Sequence, residues 1–181
     1  MTVAAQVTGQ VFWHLTSPDD CLLNNVRLGK GWAASISHYV EMAQNDGFTT
    51  QYSSFHRDKD KEAFWENTRQ DSYSNLPSRM KSLYTFVAKA DAEAALSERG
   101  WFADTQRIVI AIQPASDAKI HIADASWLDS LPETWAENAN HYWQGDQTAK
   151  PKPEALLHGR FYCPGWRSPP FGILGRPSEY R

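Results

Sequence analysis

The sequence predicts an α+β fold in which a mostly antiparallel sheet is flanked by helices. Two observations carry that expectation. Helical periodicity concentrates in the first half of the chain, and the clearest strand patterns lie in the second half, two of them joined by the short turn Ala115-Ser116-Asp117. A doubly wound parallel sheet would need strands and helices in regular alternation, which this order does not supply.

Taken in order, Val11 to Leu15 is aromatic and β-branched and reads as a strand ending at Thr16-Ser17-Pro18-Asp19-Asp20. Ser17 or Asp19 is placed to cap a helix signalled by Asp20-Cys21-Leu22-Leu23. Gly29-Lys30-Gly31-Trp32 reads as a turn or loop. Ser35 to Asn45 carries apolar residues at Ile36, Tyr39, Val40 and Ala43, a helical spacing broken by Asp46-Gly47. Residues 57–71 hold nine charges of mixed sign, so Lys59 to Arg69 reads as an exposed helix with Phe64, Trp65 and Thr68 as its apolar stripe.

Ser82 to Val87 predicts the second strand, and Asp91 to Glu98 a helix closed by Gly100. Arg107 to Gln113 alternates Ile and Val with small residues and reads as a buried strand, with Lys119 to Ala123 as its successor. Ser126 to Tyr142 predicts helix in one or two pieces, split near Pro132. Lys150-Pro-Lys-Pro is a stiff linker, and Glu154 to Tyr162 reads as the last strand. The expected organisation is one domain over residues 1–163, followed by an irregular tail over 164–181; six of the ten prolines lie after Lys150.

Composition narrows the function classes. A chain of 181 residues with 41% hydrophobic and 13% aromatic content suits a folded globule with one core. Eight tryptophans exceed what that core needs, so some are expected to line a surface or cleft. A net charge of −3 gives no global attraction to nucleic acid or membrane, although the segment from Lys150 carries six basic residues against two acidic ones. That end suits either a phosphate-bearing ligand or plain solvation. Cys21 and Cys163 stand apart from any metal-ligand spacing, and two free thiols is the simpler reading. No run approaches the ~18 apolar residues of a membrane span. The first eighteen residues hold no Lys or Arg, and the expected location is cytoplasmic.

Four motifs and one order of residues then stand out. Trp13-His14-Leu-Thr16 lies in the first strand, and Glu66-Asn-Thr-Arg69, Leu76-Pro-Ser-Arg79-Met-Lys-Ser-Leu-Tyr84 and Tyr142-Trp143-Gln-Gly145 follow. Glu154 comes last, so His14, Tyr84 and Glu154 occur in that chain order, each near a predicted strand. This layout resembles the ADP-ribosyltransferase-like superfamily in its His-Tyr-Glu branch. Within it, the motifs resemble a family of small uncharacterised bacterial proteins, over roughly Phe12 to Phe161. The resemblance implies a split, mostly antiparallel β core and an NAD-dependent transferase of toxin-like type.

The same resemblance implies a role for each matching residue. His14, with Thr16 beside it, would hold the ribose side of NAD, since a neutral imidazole bonds sugar hydroxyls without a permanent charge. Tyr84 would stack on the nicotinamide ring. Glu154 would stabilise the oxocarbenium-like charge that builds as the nicotinamide–ribose bond breaks. Arg79 would read the pyrophosphate, flanked by Ser82, and Phe86 joins the NAD contacts. His14, Tyr84 and Glu154 are thus the expected catalytic residues, and NAD the expected substrate, with no metal. The acceptor is an unidentified protein, nucleic acid or small molecule, with an antitoxin or immunity partner as a further expectation. Hydrolysis of NAD by water is the close variant.

Each residue also has a plain structural alternative. His14 as a strand histidine, Tyr84 as core, Glu154 as an edge carboxylate and Arg79 or Arg69 as an ion-pair partner would each fit the pattern. Lys152 stands where arginine-modifying relatives of the superfamily carry a second Glu or Gln, which disfavours arginine as acceptor. The alternative function is a catalytically inactive nucleotide- or partner-binding module on the same fold, with Trp13, Trp101, Trp143 and Trp166 as contacts. A phosphotransferase acting on RNA 2′-phosphate ranks third, because basic residues are sparse before Lys150. No phosphate loop, nucleophile elbow or metal-ligand histidine spacing is present in the sequence.

Overall fold

The computed structural model describes residues 6–43, 59–97, 102, 103 and 105–171. The chain divides into two compact units, each assembled from segments distant in sequence: 1–33, 88–117 and 160–181 in the first, 34–87 and 118–159 in the second. The described elements are mixed α and β: seven strands and five α-helices. Every ladder whose register is described below is antiparallel.

In the first unit β1 (Phe12–Thr16) pairs with β4 (Ile108–Pro114), placing His14 opposite Ile110 and Thr16 opposite Ile108. β4 pairs in turn with β7 (Arg160–Tyr162), and β2 (Trp32–Ala34) lies beyond β7 in the ladder. Phe12, Ile110, Ile112 and Phe161 fill its core. Helix α1 (Cys21–Leu28) starts at Asp20, whose carboxylate accepts from the Leu22 N–H at 2.9 Å. The expected loop at residues 29–32 is tighter than its composition implies. Gly31, at φ +98°, closes it against Tyr162, and a Cβ there would sit 2.3 Å from that ring, after which Trp32 opens β2. Both cysteines are free; Cys163 is fully buried and its N–H donates to the Gly31 carbonyl at 2.8 Å, while Cys21 is exposed.

The second unit is built on the ladder β3 (Leu83–Phe86), β6 (Pro153–His158) and β5 (Lys119–Asp124), with β6 central. Helix α2 (Ile36–Ala43) and α3 (Lys59–Ser72) precede it, and α5 (Trp135–Gln144) follows β5. The short α4 (Lys89–Ala95) belongs to the first unit, where Lys89 Nζ stands 5.6 Å from the Trp13 ring centre. Gly100 and Asn45, expected helix ends, lie outside the described residues, as does the tail beyond Phe171.

Two expectations need correction here, that for the last strand and that for the stripe of α3. The last strand does not run unbroken from Glu154 to Tyr162; Gly159, at φ +128°, divides it into β6 and β7. The expected split near Pro132 is present: a 3-10 turn at Ala125–Leu128, capped by Asp124, is followed by a second piece in which the turn Pro132–Thr134 runs directly into α5. Helix α3 does not bury Phe64, Trp65 and Thr68 together. Its buried residues are Glu62, Trp65 and Glu66, whose carboxylates enter the interior because Arg79 and Arg69 meet them there.

The core of this unit is aromatic. Trp65, Tyr142, Trp143 and Leu156 are buried together, and the Trp143 indole N–H donates to the Trp65 carbonyl at 2.9 Å. Each such side chain contributes roughly 1.5–3 kcal/mol by leaving water. Trp143, expected as a contact residue of a binding module, is only 2% exposed and serves the core instead; Trp101 lies outside the described residues.

Candidate functional site

Strand register decides which side chains share a face. The β3–β6 ladder pairs Tyr84 with Leu156 and Phe86 with Glu154, and the β5–β6 ladder pairs Leu156 with His121 and Glu154 with Ala123. Alternate residues of a strand point the same way, so these six side chains line one face of the second unit's sheet. Trp65 and Trp143, from α3 and α5, pack on that face against Leu156, Ala123 and Tyr84.

Glu154 sits at the head of a charged cluster there. Its Oε1 accepts from the Tyr142 hydroxyl at 2.6 Å and forms an ion pair with Arg79 Nη1. The same Nη1 donates to the Tyr142 oxygen at 2.6 Å, while Nε and Nη2 grip the two oxygens of Glu62 at 3.0 and 3.1 Å. The guanidinium carbon stands 5.3 Å from the Tyr84 ring centre and 5.0 Å from that of Tyr142. Arg79 has no exposed surface, and the Glu154 side chain retains 13%.

The local sequence explains how each part arrives. Glu62, Trp65, Glu66 and Arg69 recur at helical spacing along one side of α3. Arg69 grips Glu66 with two nitrogens, and its Nη1 donates to the Leu76 carbonyl at 2.9 Å and the Ser74 carbonyl at 3.2 Å. That ties down the loop which delivers Arg79. Tyr142 lies in the last turn of α5, which ends at Gln144 before Gly145, a left-handed cap at φ +78°. Glu154 is set by Asp124, whose buried carboxylate accepts from the N–H groups of Ser126, Thr148 and Lys152 at 2.8–2.9 Å and from the Thr148 hydroxyl at 2.7 Å. The stiff Lys150-Pro-Lys-Pro linker is thereby anchored two residues before Glu154.

Electrostatics follow from these contacts. Burial opposes the charge on Arg79, but Tyr142, Tyr84, Glu154 and Glu62 outweigh it and hold the guanidinium pKa well above its ordinary value. Burial pushes the Tyr142 phenol well above the usual tyrosine range, with Glu154 adding to the rise and Arg79 opposing it. His121 is pulled down, chiefly by burial; its Nε2 lies 3.1 Å from the Tyr142 carbonyl and its ring stacks on Trp143. A carbonyl only accepts, so that nitrogen carries the proton. Burial works to raise Asp124, yet its four hydrogen bonds prevail and hold it at about 2.

The structure therefore brings Arg79, Tyr84 and Glu154 together, with Phe86 on the same face. The Ser82 hydroxyl is buried just before β3 and has no hydrogen-bond partner among the described residues. Arg79, expected at the pyrophosphate, is instead occupied by Glu62, Glu154 and Tyr142 and presents no surface to a phosphate. Arg69 is likewise an ion-pair partner. His14, half-buried, and Thr16, buried, belong to the first unit. A shallow depression lined by Gln6, Val7, Trp32, Gln113 and Tyr162 also belongs to that unit and includes none of the expected site residues.

Sequence reasoning missed Glu62 and Tyr142. The signal for Tyr142 was present in the Tyr142-Trp143-Gln-Gly145 motif, which carried the resemblance without a role for its tyrosine. It also missed a convergence of His38, Glu41 and His158 in the second unit, since 117 positions separate the last two. No helix among the described residues is long and apolar enough to cross a membrane.

No curated protein matches the chain. A family model described as "Protein of unknown function (DUF2441)" matches residues 21–163, a stretch that contains Arg79, Tyr84, Tyr142 and Glu154. With most of its length so matched, the chain belongs to that family of unknown function.

Proposed function

We propose that the chain is an NAD-dependent ADP-ribosyltransferase, with Glu154 and Tyr84 as the catalytic residues of the second unit. The observation that carries this reading is the register of β3 and β6. It sets Tyr84 and Glu154 on one face, diagonal neighbours across the ladder, with one arginine touching both. An aromatic ring beside a fixed carboxylate is what cleavage of the nicotinamide–ribose bond requires. The nicotinamide leaves with the bonding pair, positive charge builds on the ribose, and the carboxylate stabilises it. An acceptor nucleophile, or water, then bonds to the anomeric carbon and releases its proton to solvent.

In this reading Arg79, Glu62 and Tyr142 are positioning residues. They fix the rotamer of Glu154 and do not touch NAD. The Tyr142 hydroxyl donates to Oε1, leaving Oε2 as the oxygen for the ribose. His14 and Thr16 enter from the resemblance alone.

The second reading, an inactive module, is favoured by one feature: Arg79 spends its charge on Glu154, whose side chain is only 13% exposed. Nicotinamide release from NAD by the purified chain separates the two, measured with and without a cell lysate as acceptor source. Release abolished by Glu154→Gln and reduced by His14→Ala, in variants whose unfolding transitions match the parent, supports the enzyme. Binding of NAD without release supports the module.

A further inference from the structure

Three side chains from two elements far apart in sequence meet where α2 approaches the end of β6. His38 and Glu41, three residues apart, share one side of α2, and His158 is the last residue of β6. One ligand-type atom from each lies within 4.8 Å of the other two, and His158 Nε2 is 2.8 Å from a Glu41 carboxylate oxygen. We propose that His38, Glu41 and His158 form a binding site for a divalent first-row transition cation of the zinc type.

The donor set argues for that class. Two imidazoles and one carboxylate suit zinc and its neighbours, whereas calcium and magnesium take oxygen-only sets. Three protein ligands leave a fourth position for water, as open zinc sites do. Ligand atoms around a tetrahedral zinc stand about 3.4 Å apart, given bonds of about 2.0–2.1 Å. The three ligand atoms all lie within 4.8 Å of one another, so small side-chain rotations, with Glu41 64% exposed, would bring them to that spacing. A His158–Glu41 ion pair alone accounts for two of the residues. It gives no role to His38, whose ring meets His158 edge-on with centres 6.0 Å apart.

The scaffold beneath the cluster is already fixed. Ser35 caps α2: its Oγ accepts from the His38 N–H at 3.3 Å and from the Gly159 N–H at 3.0 Å. The Ser35 N–H returns a bond to the Gly159 carbonyl at 3.0 Å, and its hydroxyl meets that of Ser37 at 2.8 Å, both side chains being buried. The helix that carries two ligands and the residue next to the third are thus joined by a reciprocal pair of bonds. Such support beneath the ligands is what a metal site needs to hold its geometry. His158 is four residues from Glu154 on β6, roughly 13 Å along the strand, so an ion here would clamp α2 to β6 apart from any chemistry at Glu154.

The test uses the full chain, stripped with a chelator and titrated with cobalt(II), then with zinc. Beside it stand His38→Gln and His158→Gln, chosen to keep side-chain bulk. The expected result is one equivalent of cobalt, the intense visible absorption of a four-coordinate site, displacement by zinc, and a zinc-dependent rise in Tm. Each variant should bind at least tenfold more weakly while keeping the metal-free far-UV spectrum and Tm of the parent. Absence of a saturable cobalt band, or equal binding by parent and variants, overturns the proposal.

Discussion

Arg79 and Glu62 face each other fork to fork inside the second unit, with Nε and Nη2 of the arginine on the two carboxylate oxygens at 3.0 and 3.1 Å. The remaining nitrogen, Nη1, is the one that reaches Tyr142 and Glu154. Glu62 therefore aims the arginine, and the arginine with Tyr142 aims Glu154.

Removing that arginine takes from Glu62 its two-nitrogen partner and from Glu154 its ion pair, on a largely buried face. Arg79→Met is expected to destabilise the fold by about 3–5 kcal/mol, as when one partner of a buried pair is deleted. Arg79→Lys should recover little, because an ammonium cannot grip Glu62 with two nitrogens while reaching Tyr142 and Glu154. Urea unfolding of the three proteins is the measurement. A loss below ~1 kcal/mol in both variants would mean the network holds nothing together.

Asp124 is expected to govern the acid limb of stability. Its folded pKa of about 2 lies below the ordinary 3.8, so its contribution is complete above 3.8 and disappears as the pH falls towards 2. The shift corresponds to on the order of 2 kcal/mol. Asp124→Asn should lose a similar amount at neutral pH, since an amide offers one acceptor oxygen to four donors. Unfolding curves of parent and variant at pH 7, 4 and 2.5 should converge as the pH falls. Parallel curves would count against this role.

His121 works on the other side of the scale. Its folded pKa is lowered by burial below 6.5, so the unfolded chain takes up the proton first. Stability owed to its neutral form is complete above about 6.5 and declines as the pH falls through that value. His121→Gln keeps a donor for the Tyr142 carbonyl and removes the titration. Comparing unfolding at pH 7.5 and 5.5 should show a smaller pH difference in the variant than in the parent; an unchanged difference would exclude His121 as its source.

Gly159 is expected to tolerate no side chain. At φ +128° an alanine is strained, and its Cβ would lie 2.9 Å from the Ala118 Cα, a backbone contact that cannot swing aside. Gly159→Ala should cost about 1–3 kcal/mol by thermal or urea unfolding. A neutral result would mean the chain can break between β6 and β7 in another way.

Much of the secondary structure was legible because local patterns determine it. Alternation marked β4, and the turn at Ala115-Ser116-Asp117 set β5 apart from it. What was not legible depends on partners distant in sequence. Nothing near Glu62 signals that it will be buried; Arg79, 17 positions on, makes burial tolerable. The break at Gly159 is invisible to a pattern of apolar residues that continues through it, because only the backbone angle changes. Glu154 and Tyr84 are expected from the chain order of the motifs, but the phenol of Tyr142, 2.6 Å from Glu154, belongs to a helix whose pattern reports only its apolar side.

The two thiols of the first unit differ in a way that turns the molecule into its own recorder. Burial carries the Cys163 thiol up to about 12, so almost none of it is thiolate at neutral pH, and no reagent reaches it while the chain around Gly31 stays closed. Cys21 stands on the surface. An alkylating reagent should therefore label the folded chain first at Cys21, whose thiol partial burial and Asp20 also raise, then far more slowly at Cys163, the second rate counting how often that unit opens. Mass spectrometry of a timed labelling series would read local stability directly, without an introduced probe.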